Sequence, residues 1–281
     1  MTIYGISALK SIFKKHQPSD IVLVTSKSIA RTYPWAQKEI QRIAGMPVRT
    51  IFVLDGERAK DFNEFERLLR SFMRHSVTRR SIVIAMGGGS VGDIAGFAAS
   101  VYMRGIAYIQ MPTTLLASVD SSIGGKVAAN LGGHKNTIGA VCAPLARCVE
   151  ERFLKSLPHD QWVNGLGEVV KAGLIADPRI LQILKHTSIK GIQNSPAVLR
   201  PLVDRASRVK ERIVKKDPLE HADRRLLNFG HTVGHAVELQ SDISHGLAVL
   251  FGMWTELSIQ KDLGLQYKAP LDMLDDFLLR Y

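Results

Sequence analysis

The first half of the chain alternates short apolar runs with longer stretches of helical periodicity. Four runs have the length of a strand and end in a polar or glycine-rich turn: residues 20–25, 48–54, 81–86 and 107–111. Residues 29–43 carry helical spacing, and residues 60–77 form an amphipathic pattern whose apolar face contains Phe62, Phe65, Leu68, Leu69 and Phe72. Strands separated by helices of this length predict parallel βαβ units. We therefore expect an α/β sheet that binds ligands at the carboxyl ends of its strands.

The pattern changes after about residue 147. Runs of β-branched residues long enough for a strand no longer occur, and helical periodicity continues to the end of the chain. We therefore predict two domains, an α/β domain over residues 1–153 and an all-helical domain over residues 154–281. The apolar faces at residues 181–184 and 247–253 are predicted to be core, and most charges of the basic stretch 210–216 are predicted to be solvated.

Composition narrows the class of protein. Of the 281 residues, 46% are apolar and 22% are charged, which is ordinary for a globular protein. No apolar run approaches ~20 residues and the N-terminus lacks a signal-peptide pattern, so we expect a cytoplasmic protein without membrane contact. Cys142 and Cys148 are predicted to be free thiols. The net charge of +11 is spread along the chain, which disfavours nucleic-acid binding and favours an anionic small molecule or a merely solvated basic surface.

A glycine-rich turn follows the third predicted strand. Residues 87–93 read GGGSVGD, in which Gly87, Gly89 and Gly92 satisfy GxGxxG before a helical segment at residues 94–99. Glycines let backbone amides approach a phosphate, and a helix N-terminus adds a favourable dipole. No acid follows about 20 residues later at the end of the next strand, which disfavours the ordinary dinucleotide fold. The turn is a candidate phosphate site, and the alternative is a tight turn without a ligand.

A stretch rich in small and hydroxyl residues comes next. Residues 112–126 read PTTLLASVDSSIGGK, with an acid at Asp120. This composition is poor for a core and suits a polar pocket. Alternatively, Thr113 and Ser118 are helix caps and Lys135 is a solvated loop charge. Further candidate pocket residues are Lys126, Asn130, Lys135 and Asn136.

Candidate metal chemistry lies in the second half. His231, His235 and His245 fall within 15 residues, and the first two are four residues apart, so on a helix their imidazoles leave the same face. Glu168 lies among valines on a predicted buried helix, where its desolvation needs an offsetting partner. Nitrogen and oxygen ligands without thiolate suit zinc or a similar first-row ion, and three protein ligands leave one position open for chemistry. The alternative is a set of histidines satisfied within the core.

Several long motifs occur in a fixed order between residues 81 and 246, about 60% of the chain. They are GGGSVGDIAGF, YMRG, PTTLLASVDSSIGGK, HKNTIG, GLGEVVKAGLI, the run from Lys210 through Asp217 and Glu220 to Arg224, LLNFGHTVGHAVE and SHG. With these motifs the chain resembles the 3-dehydroquinate synthases, a branch of the sugar phosphate cyclases. DGE at residues 55–57, with Lys60, carries a weaker match. The family combines an N-terminal α/β nucleotide domain with a C-terminal helical metal domain, so the resemblance implies that fold here.

The resemblance also implies roles for individual residues. Glu168, His231 and His245 match zinc ligands, so His235 would serve the substrate phosphate and proton relay. Arg104 matches an arginine that reaches the neighbouring subunit's site, which implies a homodimer. The residues at NAD-binding positions are Glu57, Lys60, Gly88, Gly89, Ser90, Asp93, Thr113 and Thr114. The residues at substrate-pocket positions are Lys126, Lys135, Asn136, Lys210 and Arg224, together with the implied catalytic residues Asp120, Lys171 and Asn228.

The implied activity is that of a carbon–oxygen lyase of the shikimate pathway. The resemblance implies conversion of 3-deoxy-D-arabino-heptulosonate 7-phosphate to 3-dehydroquinate and phosphate, with NAD and Zn²⁺ or Co²⁺ as cofactors. NAD would take a hydride and return it within each turnover. Because this substrate carries a carboxylate, Arg224 is expected to hold it with two parallel hydrogen bonds. The alternative is a surface ion pair of Arg224 with Asp217 or Glu220.

Departures from the family pattern leave other functions open. Residues 127–130 read VAAN where TGIN is typical, His134 stands where a glycine is usual, and Ser26 stands where an acid commonly holds the adenosine ribose. Both ends are short, so the leading strands and a terminal helical segment are expected to be missing. The alternatives are a cyclase of the 2-deoxy-scyllo-inosose or valiolone type, a metal-dependent alcohol or glycerol-phosphate dehydrogenase, and a non-catalytic binding descendant.

Overall fold

A computed structural model describes residues 1–218, 222–241, 243–265 and 271–280. It contains two compact units, Met1–Leu154 and Lys155–Tyr281. The first is an α/β unit, and the described residues of the second form helices and no strand. The predicted fold class, an α/β part followed by a helical part, is therefore confirmed.

The first unit is built on a parallel sheet. Its strands are β1 (Thr2–Tyr4), β2 (Ile21–Ser26), β3 (Val48–Val53), β4 (Ile82–Gly87), β5 (Ala107–Pro112), β6 (Lys126–Leu131), β7 (His134–Val141) and β8 (Ala146–Val149). Six of them pair in parallel in the order β1-β8-β5-β4-β2-β3, and β6 and β7 form a separate antiparallel hairpin. This order brings the carboxyl ends of β5, β4, β2 and β3 to one edge, where parallel sheets bind ligands.

Helices cover both faces of this sheet. They are α1 (Leu9–His16), α2 (Lys27–Thr32), α3 (Pro34–Ala44), α4 (Phe62–Arg74) and α5 (Gly89–Val101). One core joins the strands to α4 and α5 through residues such as Phe65, Phe72 and Ile94, and the other joins them to α1 and α3 through Leu9 and Ile40. Strands β2 and β4 are buried at every position because both of their faces are covered. Both cysteines are free, as predicted.

Three predicted helix boundaries in this unit are wrong for local reasons. Residues 29–43 form two helices, because Pro34 lacks an N–H and begins α3. Helix α4 begins at Phe62 because the Asp61 carboxylate caps it, accepting from the Asn63 N–H at 2.8 Å. Helix α5 begins at Gly89, before the predicted start at residue 94, since the glycines of the turn belong to its first turn.

Four strands are absent from the sequence prediction. Strands β1 and β8 contain only three and four residues. Strands β6 and β7 were predicted as part of a polar pocket because small and polar residues dominate them. Gly132 and Gly133, with φ of 59° and 81°, make the turn between them, and such a glycine pair is a hairpin signal.

The second unit is helical. Helix α6 (Glu151–Lys155) crosses the boundary and is followed by α7 (His159–Ile175), α8 (Pro178–His186), α9 (Ile189–Asn194), α10 (Pro196–Lys216), α11 (His231–Gln240), α12 (His245–Asp262) and α13 (Leu271–Arg280). Leu181 and Leu184 are buried, as predicted. The core prediction for residues 247–253 holds only in part, because Leu247 and Phe251 line an apolar surface groove. No described helix is long and apolar enough to span a membrane.

Candidate functional site

The glycine-rich turn joins β4 to α5. Gly88 is the N-cap residue and α5 begins at Gly89, so the unpaired amides of the first helical turn lie beside the glycines. A Cβ on Gly89 would lie 2.9 Å from Ser121 Oγ, which leaves no room for a side chain without movement. The turn therefore offers unpaired backbone amides and, because it has no side chain at Gly89, lets a ligand come close to the backbone. A phosphate site requires both features.

A buried lysine ties this turn to the hairpin. Lys60 is 4% exposed, and its Nζ donates to Asp93 Oδ2 at 2.8 Å and to Asn136 Oδ1. Burial raises the pKa of the Asp93 carboxyl, and the charge of Lys60 opposes that rise. The structure thus brings together Lys60 and Asp93, both predicted at NAD-binding positions, with Asn136, which was predicted at a substrate position.

Glu57 extends this network along the edge of the turn. Its Oε2 accepts from Ser90 Oγ at 3.1 Å and its Oε1 accepts from Asn130 Nδ2 at 2.8 Å. Asn130 Oδ1 in turn accepts from the backbone N–H of Asn136 at 2.9 Å, which holds that residue in the left-handed conformation, with φ of 58°. Five predicted site residues therefore form one hydrogen-bonded group with Asn130 as the bridge: Glu57, Lys60, Ser90, Asp93 and Asn136.

A carboxylate that the sequence analysis did not assign lies beside Ser26. Strands β2 and β3 are neighbours with Ser26 opposite Val53, so Asp55 follows β3 next to the end of β2. Asp55 Oδ1 accepts from Ser28 Oγ, which lies 2.9 Å from Ser26 Oγ. Hydrogen bonds from Ser26 and Ser28 lower the pKa of Asp55. Ser26 stands at the position where an acid is common, and the ionised carboxylate of Asp55, which follows the adjacent strand, lies beside it. Only the order of the strands in the sheet reveals this.

The segment after β5 carries two further predicted site residues on irregular backbone. Thr113 is buried, and Thr114 Oγ1 accepts at 3.1 Å from the first amide of a π-helix, Ala117–Ser121. Thr114 Oγ1 thus satisfies this amide, while Ser118 Oγ donates to the Thr114 carbonyl at 2.8 Å. The suggested capping by Thr113 or Ser118 is therefore wrong. Asp120 lies on the π-helix. This conformation is rare in proteins, and where it does occur it is often at a functional site.

Three predicted site cations are exposed. Lys126 opens β6 and Lys135 lies near the start of β7, so Lys135 is a strand residue and not a loop charge. Arg104 has φ of 66° and follows Met103 with φ of 51°, a left-handed pair that costs of order 1 kcal/mol per residue outside glycine. The structure presents Arg104 on this strained turn, apart from the Lys60 and Glu57 network.

Three helices of the second unit bring Glu168, His231 and His245 together. Glu168 lies within α7, while His231 and His245 are the first residues of α11 and α12. Glu168 Oε1 lies 3.6 Å from His231 Nε2 and 3.8 Å from His245 Nε2. His235 belongs instead to a second, more exposed group with Glu238 and His245. The geometry thus separates the two histidines that the sequence places on one helix face.

The inner group fits a divalent metal ion. Glu168 Oε1 is buried and accepts no hydrogen bond from the residues that the structure describes. The other carboxylate oxygen, Oε2, lies 2.5 Å from Lys171 Nζ, which also donates to the Leu227 carbonyl at 2.7 Å. Bonds of ~2.1 Å to one tetrahedral ion would place two donors about 3.4 Å apart, close to the separations found here. An unpartnered carboxylate oxygen beside two imidazole nitrogens is a zinc-type donor set.

The protonation states of Glu168 and His231 also suit metal binding. Burial acts to raise the pKa of Glu168, but the charge of Lys171 and hydrogen bonding outweigh it and hold the pKa well below the usual carboxyl range. Burial and the charge of Lys171 lower the pKa of His231 to about 4, so its imidazole is neutral at neutral pH. The carboxylate of Glu168, which faces His245 Nε2 at 3.8 Å, raises the pKa of His245. Because metal ligands must be deprotonated, ion binding would release any proton held by His245 Nε2.

Glycines let the helices that carry these ligands pack backbone to backbone. A Cβ on Gly167 would lie 2.3 Å from the Gly246 carbonyl oxygen, and one on Gly246 would lie 2.1 Å from the Asn164 carbonyl oxygen. The Gly246 N–H donates to Asn164 Oδ1 at 2.9 Å. Each of these glycines is the chain neighbour of a candidate ligand, so this contact between α7 and α12 sets the separation of Glu168 and His245.

We expect Gly167→Ala to destabilise the protein by about 1–3 kcal/mol, the usual cost of inserting a methyl group into a close-packed contact. The clash is with backbone oxygen, which cannot rotate away. Urea unfolding measures the effect. Gly191→Ala in α9 is the matched control, because its Cβ would meet only side-chain atoms, Thr187 Cγ2 at 2.9 Å and Ser188 Oγ at 3.4 Å. Equal unfolding midpoints for Gly167→Ala and the wild type would contradict the close packing.

Arg224 is buried rather than placed at the surface. Its side chain is 4% exposed, and Nη1 donates to the Pro218 carbonyl at 2.7 Å. Asp217 Oδ2 accepts from the backbone N–H groups of Arg224 and Ala222 at 3.0 and 2.7 Å. The surface position in the alternative is therefore wrong. Its ion pair with Glu220 is untested, because Glu220 lies outside the described residues.

The other predicted site residues of this unit differ in their exposure to solvent. Asn228 ends a 3₁₀ helix, Asp223–Asn228, shortly before α11, and its side chain is exposed. His235 is exposed one turn after His231, with ring centroids 5.0 Å apart. Lys210 is half-buried on α10. Lys171 is buried against Glu168, a contact that its spacing of three residues on α7 could have indicated.

Two family models match the chain. The model described as 3-dehydroquinate synthase N-terminal matches residues 50–164, and the one described as 3-dehydroquinate synthase C-terminal matches residues 165–281. The 3-dehydroquinate synthase of Alkaliphilus metalliredigens (strain QYMF) is 38% identical over 247 residues, which cover 87% of this chain and 69% of that protein.

Solved structures with the same fold carry both cofactors. The structure of 2-deoxy-scyllo-inosose synthase complexed with carbaglucose-6-phosphate, NAD⁺ and Co²⁺ has a TM-score of 0.87 and 27% identity, covering 99% of this chain and 78% of that one. The 2-epi-5-epi-valiolone synthase from Streptomyces hygroscopicus subsp. jinggangensis 5008, with NAD⁺ and Zn²⁺ bound, has a TM-score of 0.78 and 25% identity, covering 100% and 85%.

Proposed function

The chain belongs to the 3-dehydroquinate synthase family, and from that premise we propose that it converts 3-deoxy-D-arabino-heptulosonate 7-phosphate to 3-dehydroquinate and phosphate. The observation that carries the proposal is the group of Glu168, His231 and His245, in which a buried carboxylate oxygen lacks a hydrogen bond from the described residues. Its cofactors are NAD and a divalent metal ion, as in the solved neighbours.

In the second unit, we assign Glu168, His231 and His245 as the metal ligands. Lys171 holds the second oxygen of Glu168, so this lysine positions the ligand in addition to the catalytic role that we propose for it. His235 lies exposed one turn from His231 and is our candidate for moving a proton beside the substrate phosphate. Lys210, Arg224 and Asn228 complete the substrate contacts proposed for this unit.

In the first unit, the edge formed by the ends of β3, β4 and β5 is our NAD site. The amides at Gly88, Gly89 and Ser90 would hold the pyrophosphate, and Asp55 would offer a carboxylate to a ribose hydroxyl. The remaining proposed NAD residues are Glu57, Lys60, Asp93, Thr113 and Thr114. The substrate residues proposed for this unit are Asp120, Lys126, Lys135 and Asn136, and we propose that Arg104 serves the site of a second copy in a homodimer.

The cofactors and the protein side chains have different tasks in the proposed reaction. When bound, NAD supplies a hydride acceptor that is regenerated in each turnover, and the metal ion supplies a Lewis acid that polarises a substrate oxygen. The protein's cations neutralise the carboxylate and the phosphate of the substrate, in keeping with the net charge of +11. A cytoplasmic location remains a prediction.

Phosphate release tests the proposal. Purified protein loaded with Zn²⁺ and NAD is mixed with 3-deoxy-D-arabino-heptulosonate 7-phosphate, and free phosphate and 3-dehydroquinate are measured. The proposal requires both products in equal amounts. Steady accumulation of NADH would indicate a dehydrogenase instead, and cofactor binding without phosphate release would indicate a non-catalytic descendant.

A second candidate, a cyclase for an uncarboxylated sugar phosphate, is favoured by the TM-score of 0.87 with 2-deoxy-scyllo-inosose synthase. Arg224→Lys separates the two, because lysine keeps the charge and loses the planar fork. For the carboxylated substrate we expect apparent binding to weaken by ~1.5–3 kcal/mol, the range for a charge-assisted hydrogen bond, while Zn²⁺ and NAD affinities stay unchanged.

The matched measurement uses glucose 6-phosphate, which has no carboxylate, with the same variant. Equal losses for both sugars would refute the carboxylate role of Arg224. Turnover of the uncarboxylated sugar alone would support the second candidate and reject the dehydroquinate reaction.

A further inference from the structure

Glu238 lies on α11 with His231 and His235, and the proposed function gives it no role. Its Oε2 lies 3.0 Å from His245 Nδ1 and so joins α11 to the first residue of α12. The Glu238 side chain is 32% exposed and that of His245 is 26% exposed. This pair therefore lies on the more exposed side of the candidate ligand group.

The two nitrogens of His245 face different carboxylates. Nε2 points toward the unpartnered Glu168 Oε1, 3.8 Å away, while Nδ1 points toward Glu238. An ionised carboxylate only accepts hydrogen bonds, so the proton of a neutral His245 resides on Nδ1. Nε2 is then left with its lone pair directed at Glu168 and His231, which is the state a metal ligand must have.

The same contact excludes a competing arrangement. Glu238, His235 and His245 also bring donor atoms within 4.8 Å of one another, so an ion could in principle take Nδ1 of His245 at this outer group. A hydrogen bond from Nδ1 to Glu238 occupies both atoms and leaves only the inner nitrogen available. His231 has a weaker counterpart, since its Nδ1 lies 3.3 Å from the Phe229 carbonyl.

We propose that Glu238 is a positioning residue that fixes the tautomer and ring orientation of His245 and thereby directs the metal ion to the inner group. The inference rests on the proposed metal site of Glu168, His231 and His245. It assigns Glu238 no contact with substrate, NAD or the ion.

The test measures metal binding instead of turnover. Co²⁺ affinity is determined by competition with a chelator, and the visible absorption spectrum of the Co²⁺ protein reports the ligand set. We expect Glu238→Ala to lower Co²⁺ affinity by about 10–100-fold, the usual effect of losing an outer hydrogen bond to a metal-bound histidine, and to alter the spectrum. Glu238→Gln keeps the side-chain length and one acceptor oxygen, so we expect it to recover part of the affinity.

Asp275→Ala is the matched control. Asp275 lies on α13 in the same unit, far along the chain from the candidate ligands, and accepts a hydrogen bond from Trp254 Nε1 at 2.6 Å. Its replacement by alanine therefore also removes one carboxylate and one hydrogen bond. We expect wild-type Co²⁺ affinity and spectrum for this variant. Urea unfolding of every variant shows whether lost affinity follows lost stability.

The outcomes separate the inference from its premise. Wild-type affinity and spectrum in both Glu238 variants would overturn the positioning role and leave the metal site intact. An equal loss in Asp275→Ala would also overturn it, because the effect would then be general. If the wild-type protein binds no Co²⁺, the proposed metal site itself is wrong. If Glu238→Ala fails to fold, Glu238→Gln alone decides. A wild-type Co²⁺ spectrum and wild-type Co²⁺ affinity for Glu238→Gln at every pH measured would count against the positioning role of Glu238.

Discussion

His231→Ala is expected to abolish metal retention and phosphate release while the protein stays folded. The imidazole is one of three donors, and its Nε2 lies 3.6 Å from the buried Glu168 oxygen that has no hydrogen bond from the described residues. Loss of a residue that only hydrogen-bonds to a metal ligand already lowers metal affinity about 10–100-fold. Loss of a ligand itself should therefore lower Zn²⁺ affinity by more than about 100-fold. Single substitutions typically cost about 1 kcal/mol of stability, and we expect a cost of that order for this variant.

Metal content after dialysis and the unfolding midpoint measure these two effects separately. His235→Ala is the control, because it removes an imidazole from the same helix that is not one of the three proposed ligands. We expect that variant to keep its metal ion. Unchanged zinc content in His231→Ala would refute the ligand assignment, and metal loss in His235→Ala alone would place the ion at the outer group of His235, Glu238 and His245.

Gly89→Val is expected to remove NAD binding. The branched side chain would stand at the first residue of α5, where the helix amides must meet the pyrophosphate, and its Cβ would already lie 2.9 Å from Ser121 Oγ. Losing about 3 kcal/mol of charge-assisted hydrogen bonds would weaken binding on the order of 100-fold. Calorimetric titration with NAD measures the change.

The double variant Gly89→Val with Ser121→Gly removes the clash with Ser121 and keeps the obstruction of the amides. We expect it to recover stability and not NAD affinity. Recovered NAD affinity would mean that the single variant acts only by displacing α5. Unaltered NAD affinity in the single variant would mean that the turn is structural and binds no dinucleotide.

Much of the first unit could be predicted from the sequence, because its strands are buried on both faces and read as apolar runs. Residues 81–86 needed no tertiary information to be read as a strand, and the glycine turn that follows was located by the same reasoning. The hairpin of β6 and β7 was missed because polar and small residues hide its alternation. The single helix expected over residues 29–43 failed at Pro34, where local chemistry overrides periodicity.

The candidate site shows a similar division. Spacing placed His231 and His235 on one face of a helix, yet the structure sends only His231 to the inner group with Glu168 and His245. That choice depends on how α12 packs against α7 through glycine contacts, which no local pattern encodes. Asp55 was left unassigned for the same reason, since its closeness to Ser26 follows from the neighbouring positions of β2 and β3.

The central claim is that NAD is a catalyst in a phosphate-releasing cyclisation. The most direct measurement supplies the Zn²⁺-loaded protein with 3-deoxy-D-arabino-heptulosonate 7-phosphate in large excess over NAD and follows phosphate and NADH together. We expect released phosphate to exceed the total NAD many times over while NADH shows no net increase. Phosphate release that stops at one equivalent of NAD, or that proceeds equally without NAD, would contradict it.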